Sequence, residues 1–165
     1  MSSPVTHAQS IAFAEFVRPT LWSLVPCSLL GVGVTLVSLP ILETPLSLVF
    51  GALTALATVA AVFGSGYWVK VIRSADVAIL QVGAARILVD QLSAPRLAQG
   101  AEMMAERGPK LNARAYRKFQ SGVPTVVIVD VADDQDPTPY WIFNLRKAGE
   151  LVALLESNPT VRGSN

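Results

Sequence analysis

The chain has 165 residues, 52% of them hydrophobic and 15% charged, with a formal net charge of +1 at pH 7 and a mean hydropathy of +0.47. Soluble domains carry roughly 25% charged residues, and the near-neutral balance excludes a strongly basic nucleic-acid binder, so no nucleic-acid partner is expected. One cysteine (Cys27) and one histidine (His7) exclude an internal disulfide and a Cys/His metal cluster.

The charge deficit is local. Residues 1–69 hold three charged side chains, Glu15, Arg18 and Glu43, whereas residues 70–165 hold twelve basic and ten acidic ones. Three segments follow: an N-terminal tail over 1–18, a helical hairpin over 19–69 and an α+β domain over 70–165. The tail is polar, lacks periodicity at its start and is expected to become interfacial from Ile11 to Val17.

From Pro19 to Leu42 there are 24 consecutive residues without Asp, Glu, Lys, Arg or His, and 26 more run from Thr44 to Val69. About 20 helical residues cross a hydrocarbon core of about 30 Å. The first run holds seven Leu, four Val and one Ile, enough to favour insertion by several kcal/mol, and the second has no charge to oppose it. Two long helices apolar on every face could not be buried inside so small a soluble protein. A cleaved signal peptide fits poorly, because the run is long, starts late and lacks a small-residue cleavage pattern. A two-helix transmembrane hairpin is therefore expected.

Arg18 precedes the first span, and Lys70 and Arg73 follow the second, while the turn around Pro40, Glu43 and Pro45 has no Lys or Arg. The positive-inside rule then puts both termini in the cytoplasm, in a multi-pass protein of the plasma (inner) membrane. Trp22, Tyr67, Trp68, Lys70 and Arg73 are read as membrane-interface anchors. Small residues recur every four positions: Cys27, Gly31 and Thr35 on the first span, Gly51 with Ala55 and Ala60 with Gly64 on the second. Such rows let helix backbones approach, here within the hairpin. Pro26 and Pro40 are expected to kink or end the first helix. The spans contain no acid or base, so a proton relay or ion pathway has no residues to run on.

After Lys70 the pattern changes. Residues 77–82 and 85–92 flank Gly83-Ala84, and Gly first in a two-residue loop predicts a hairpin with a type II′ turn. Residues 125–131 and 140–145 read as further strands joined by an acidic loop, Ala132 to Pro139, and Tyr116 to Gln120 is a candidate for one more. Ala101 to Arg107 reads as a short helix stopped by Gly108-Pro109. Ala148 to Glu156 reads as a final helix, with Pro159 beyond it. The fold class is α+β: a small antiparallel β domain closed by a C-terminal helix.

Several of these residues carry a family likeness. The two-span hairpin, the run Val82 to Ile87, the run Leu111-Asn112-Ala113-Arg114-Ala115-Tyr116, and Asp136-Pro137-Thr138-Pro139-Tyr140-Trp141 with Arg146 closely resemble an actinobacterial family of small two-span membrane proteins, the domain-of-unknown-function family 3093. The likeness covers roughly residues 15–156. Asn112 stands where the family pattern has Asp, and Asn144-Leu145 where it has a small hydroxyl pair. The resemblance implies a location and an architecture without an activity. The order of elements also resembles bacterial pleckstrin-homology-like modules.

No catalytic constellation, cofactor motif or metal site emerges. Asp130, Asp133, Asp134 and Asp136 lack the glycine and closing Glu of an EF-hand. Asp136 is expected instead to accept backbone N–H bonds in the turn before Thr138-Pro139. The only histidine lies in the tail, so a serine or cysteine triad has no base. Lys110, Arg114, Arg117 and Lys118 interleave with Tyr116 and Phe119 as a patch suited to anionic headgroups. Arg114, Tyr116, Tyr140, Trp141 and Arg146 are the candidate anion or partner site, with Trp141 better suited to a core.

The expected function is a membrane-tethered cytoplasmic interaction or scaffold module at the inner leaflet. Its expected partners are the lipid bilayer and a membrane or cytoplasmic protein. The alternative is an accessory subunit of a larger membrane complex or transporter; a third reading is an enzyme acting on a membrane-embedded substrate.

Overall fold

Between Val17 and Tyr67, which face each other across two antiparallel strands, the chain inserts a pair of apolar helices. The computed structural model describes residues 10–74, 77–133 and 135–157; His7, Asp134 and Pro159 lie outside the described residues. The described residues form two compact units: residues 18–66 with 120–122, and a β unit of residues 10–17, 67–119 and 123–157.

In the helical unit a 3-10 turn, Leu21–Ser23, leads into α1, Leu24–Ser38, and α2 spans Thr44–Gly64. Pro26 is tolerated in the first turn of α1, where its missing N–H has no intrahelical acceptor, and Pro40 follows the last turn. Pro45 opens α2 in the same way. The helices pack through the small residues. A Cβ added at Gly31 would lie 2.7 Å from the Ala55 Cβ and 2.8 Å from the Gly51 carbonyl. One added at Gly51 would collide with Thr35 Oγ1 and lie 2.7 Å from the Gly31 carbonyl. The Cys27-Gly31-Thr35 and Gly51-Ala55 rows therefore meet within the hairpin. The Ala60-Gly64 row does not: both residues are exposed, and among the described residues a Cβ built at Gly64 meets nothing within 4 Å beyond its own stretch of helix.

The β unit contains two four-stranded sheets rather than one. The first has the order β1-β2-β3-β4: Ser10–Val17, Tyr67–Arg73, Ala78–Val82 and Ala85–Leu88, all antiparallel. Gly83, at φ +63°, and Ala84 make the β3–β4 turn; Ala84 stays out of the positive-φ region, as a type II′ turn requires. Strand β5 is Leu92–Gln99, β6 Tyr116–Lys118, β7 Thr125–Val131 and β8 Tyr140–Asn144; the second sheet runs β5-β7-β8-β6. Its β6–β8 pair is parallel, a departure from the wholly antiparallel expectation. Helices α3, Gly100–Arg107, and α4, Ala148–Glu156, both pack against β5 and β7.

Segment 10–17, read from sequence as the end of a tail, is thus a sheet strand. Phe13 and Val17 point inward, Ala14 and Phe16 outward, and a bulge between Ile11 and Phe13 blurs the alternation. Likewise the apolar run 44–69 changes state within itself: α2 ends at Gly64, and Tyr67, Val69 and Val71 become the buried face of β2. The main core lies between the sheets, joining Phe13, Val17, Val69, Leu80 and Val82 to Val127, Val129, Phe143, Leu151 and Leu155. A second cluster, Ala98, Val126, Ile128 and Ile142, fills the opposite face of the second sheet beneath Met103, Leu111, Phe119 and Tyr140. Burial on both faces explains why β7 reads as a continuous apolar run.

Candidate functional site

The five residues read as one anion or partner site do not converge. Tyr116 and Trp141 are register partners in the β6–β8 pair, with ring centroids 4.5 Å apart. Trp141 is buried in the main core, and the Tyr116 hydroxyl donates to the Val82 carbonyl at 2.8 Å. Burial raises the Tyr116 pKa above the ordinary phenol range. Tyr140, on the other face of β8, accepts the Asn112 N–H at 2.7 Å and pins the segment before β6. Arg114 precedes the start of β6, and Arg146 follows the end of β8. Because the two strands run parallel in register, the two arginines flank opposite ends of the β6–β8 pair. Arg114 and Arg146 thus stand at opposite ends of the strand pair, not side by side as a single anion site would have them.

Arg146 has a backbone role. Its main-chain N–H donates to Glu15 Oε1 at 2.9 Å, and the Lys147 N–H donates to Glu15 Oε2 at 2.9 Å. Lys147 is the N-cap residue of α4 and Arg146 the residue before it, so a carboxylate from β1 holds the chain where it enters the helix. Composition marks Glu15 only as an isolated charge, and nothing local to it signals this role.

The basic patch is partly spoken for. Lys110 Nζ and Arg96 lie 3.6 and 3.8 Å from the buried Glu106 carboxylate. Lys118 Nζ stands 5.7 Å from the Tyr67 ring centroid, and the Arg107 guanidinium 4.6 Å from that of Phe119. In the acidic loop Asp136 acts as expected: its Oδ1 accepts the Thr138 N–H at 2.9 Å, and the Thr138 hydrogen bonds hold its pKa below the ordinary carboxylate value. Among the described residues no group of three His, Cys, Asp or Glu side chains could hold a metal ion.

The residues read as interface anchors separate into two kinds. Tyr67 is a core residue, 4% exposed, whose hydroxyl lies 2.9 Å from both the Lys118 and the Asn144 carbonyls and shares its one proton between them. Burial pushes its pKa well above the ordinary phenol value. The interfacial reading of Tyr67 is thereby overturned: in a strand, successive side chains alternate, and Tyr67 takes the inward position. Trp68 takes the outward one, 46% exposed, against Phe16 at 5.1 Å between centroids, with Lys70 Nζ 4.9 Å from its ring. Trp22 is also exposed, and Arg73 is half-buried.

Trp68 belongs to a patterned surface. Strand register aligns Ala14, Lys70, Gln81 and Arg86 in one row across the first sheet, and Ile11, Ile72, Ile79 and Leu88 in the next but one. The outer face of this sheet thus carries an aromatic pair, a cationic row and an aliphatic row, with no carboxylate in any of them. In the helical unit an apolar groove of about 420 Å³ runs along α1 beside Leu30, Gly33, Val34, Val37 and Ile41, opened by the missing side chain of Gly33.

A family model described as "Protein of unknown function (DUF3093)" matches residues 12–155. No curated protein and no solved structure matches the chain.

Proposed function

The chain belongs to the DUF3093 family of proteins of unknown function, and from that premise we propose that it is a membrane-tethered binding module, its β unit held on the cytoplasmic side of the inner leaflet to receive a protein partner. One observation carries the reading: the apolar helices are inserted between register partners, Val17 and Tyr67. An insert that leaves and returns at one point of a sheet crosses a bilayer an even number of times. Both of its flanks, and the whole β unit with them, then lie in one compartment.

The helices themselves support the crossing. They are 18 and 21 residues long with the 3-10 turn included, and only 17% and 11% of their apolar windows is buried, the reverse of core helices in a soluble protein. Thr35, Thr54 and Thr58 return their hydroxyls to carbonyls of their own helices, which satisfies them without water. Arg18, Lys70 and Arg73 flank the insert, while its turn carries only Glu43, so the positive-inside rule favours the cytoplasm for the β unit. The two-span, actinobacterial family resemblance agrees with this layout.

The test is extraction and topology. Alkaline carbonate should leave the full chain in the membrane pellet, and a reporter fused after residue 165 should be active only in the cytoplasm. Release by carbonate, or a reporter active outside, overturns the reading. A second reading, an accessory subunit of a larger membrane complex, draws on the exposed Gly33 groove and the exposed Ala60-Gly64 row. It is favoured if crosslinking within native membranes captures a partner through α1 or α2 rather than through the β unit.

A further inference from the structure

The geometry points to the outer face of the first sheet as a docking surface for an anionic bilayer, so that the β unit lies against the headgroups of the leaflet from which its tethers emerge. This deepens the tethered-module reading and rests on it.

The second sheet is packed on both faces, by the main core on one and by α3 with the segment before β6 on the other. Among the described residues, the outer rows of the first sheet belong to neither core cluster: Phe16, Trp68 and Arg86 are exposed, and Lys70, Ile72 and Leu88 are half-buried. Its outer rows have the composition of a surface that meets headgroups: Trp68 as an amphipathic ring with the apolar Phe16 against it, Lys70 and Arg86 as cations, and Ile72 and Leu88 beyond them. Aromatic rings prefer the membrane–water interface, and basic side chains are drawn to the negative cytoplasmic leaflet.

Charge selects the occupant. Among the described residues neither Lys70 nor Arg86 lies within salt-bridge distance of a carboxylate, and Lys70 is held over the Trp68 ring instead. An anionic surface would complement that row, whereas a second copy would set the same cations against each other. Chain continuity points the same way. Strands β1 and β2, which carry the aromatic pair, are the two strands joined to the apolar helices, and only Ser65 and Gly66 separate α2 from β2. Under the tethered reading, the ends of these two strands are where the chain meets the leaflet.

The experiment uses the full chain with Cys27→Ser, reconstituted one copy per nanodisc. A fluorophore is placed either by Leu88→Cys on the far row or by Glu102→Cys on exposed α3, and the lipids carry a headgroup quencher. In phosphatidylglycerol-rich discs the Leu88 probe should be quenched and the Glu102 probe spared; in pure phosphatidylcholine the difference should vanish. Lys70→Gln with Arg86→Gln should lower the docked-to-undocked ratio about twenty-five-fold, since each basic residue near an anionic surface contributes about fivefold. Salt at about 1 M, which shortens screening to about 3 Å, should act alike on the unmutated face. Equal quenching of the two probes, or indifference to lipid charge and salt, overturns the proposal. So does shielding of Leu88 that appears only in discs holding two copies. A chain that docks nowhere yet resists carbonate leaves the tethered module standing, and release by carbonate removes both.

Discussion

Glu15 and Lys147, 132 positions apart, are joined by a 2.9 Å hydrogen bond from the Lys147 N–H to the Glu15 carboxylate, whose other oxygen holds the N–H of Arg146. The contact ties the strand that enters the helical insert to the start of the last helix. A negative group at a helix N-terminus satisfies free amides and complements the helix dipole. Glu15→Ala should therefore cost about 1–2 kcal/mol of β-unit stability, within the range of lost N-caps. Glu15→Gln should recover only part, because its amide nitrogen cannot accept an N–H. Denaturant unfolding of the full chain in detergent, followed by tryptophan fluorescence, measures it. An unchanged midpoint for Glu15→Ala would remove the cap.

That bond also shows where sequence reasoning stops. Strand β7 and helix α4 could be bounded to the residue because each carries its own signal, a continuous apolar run and an amphipathic repeat. Gly83 announced the β3–β4 turn in the same local way. Strand β1 carries little such signal: its partner lies some fifty residues on, and the bulge beside Ala12 breaks its alternation. Strand β5, with Ser93 and Pro95, is a strand because β7 pairs with it. The switch from helix to strand near residue 65 was hidden by a charge count, which sees only that Thr44 to Val69 is apolar. Gly64-Ser65-Gly66 followed by the alternation of Tyr67, Val69 and Val71 was the signal available. As for the candidate site, residue types could nominate Arg114 and Arg146 but not the parallel β6–β8 pairing that separates them.

Tyr67 supplies a pH test. Its hydroxyl is buried between two carbonyls, and burial raises its pKa in the folded chain above the ordinary value of 10.0. Above about pH 10 the unfolded phenol loses its proton while the folded one keeps it, so stability is complete below that pH and falls as pH rises. The fall attributable to one such group approaches about 1.4 kcal/mol per pH unit. Tyr67→Phe should flatten the alkaline slope of the unfolding free energy by up to that amount. At neutral pH it should cost about 1–3 kcal/mol for the unsatisfied carbonyls. Parallel slopes for the two proteins above pH 10 would refute the assignment.

Gly51 and Gly33 lie on different faces of the helical pair and should respond in opposite ways. A side chain at Gly51 collides with Thr35 and the Gly31 carbonyl, whereas among the described residues a Cβ at Gly33 meets nothing within 4 Å beyond its own stretch of helix. Gly51→Val should destabilise the pair by about 1–3 kcal/mol, as overpacking does. Gly33→Ala should be neutral or stabilise by up to about 1 kcal/mol through helix propensity. Thermal denaturation in detergent, read by circular dichroism, separates them. Equal losses would mean that Gly33 is also packed.

Asn144 gives the most exacting test of the β unit, because its side chain is fully buried and its Nδ2 donates to the carbonyls of Val123 and Thr125 at 2.9 and 3.0 Å. Both bonds need a donor at the same atom. Asn144→Asp keeps the shape but replaces that donor with an oxygen, so an ionised side chain would face two carbonyl dipoles without water. Breaking a buried polar arrangement in this way costs about 3 kcal/mol or more. Protonation restores one O–H donor, and burial favours the neutral acid, so the folded carboxyl pKa lies above the unfolded one. The recovered stability is therefore present in full below the unfolded carboxylate pKa of about 4 and is lost as pH rises through the folded value. Stability of Asn144→Asp relative to the parent chain should accordingly improve on acidification. A difference that stays constant from pH 4 to pH 8 would mean that the amide donors at position 144 do not hold the Val123–Thr125 segment.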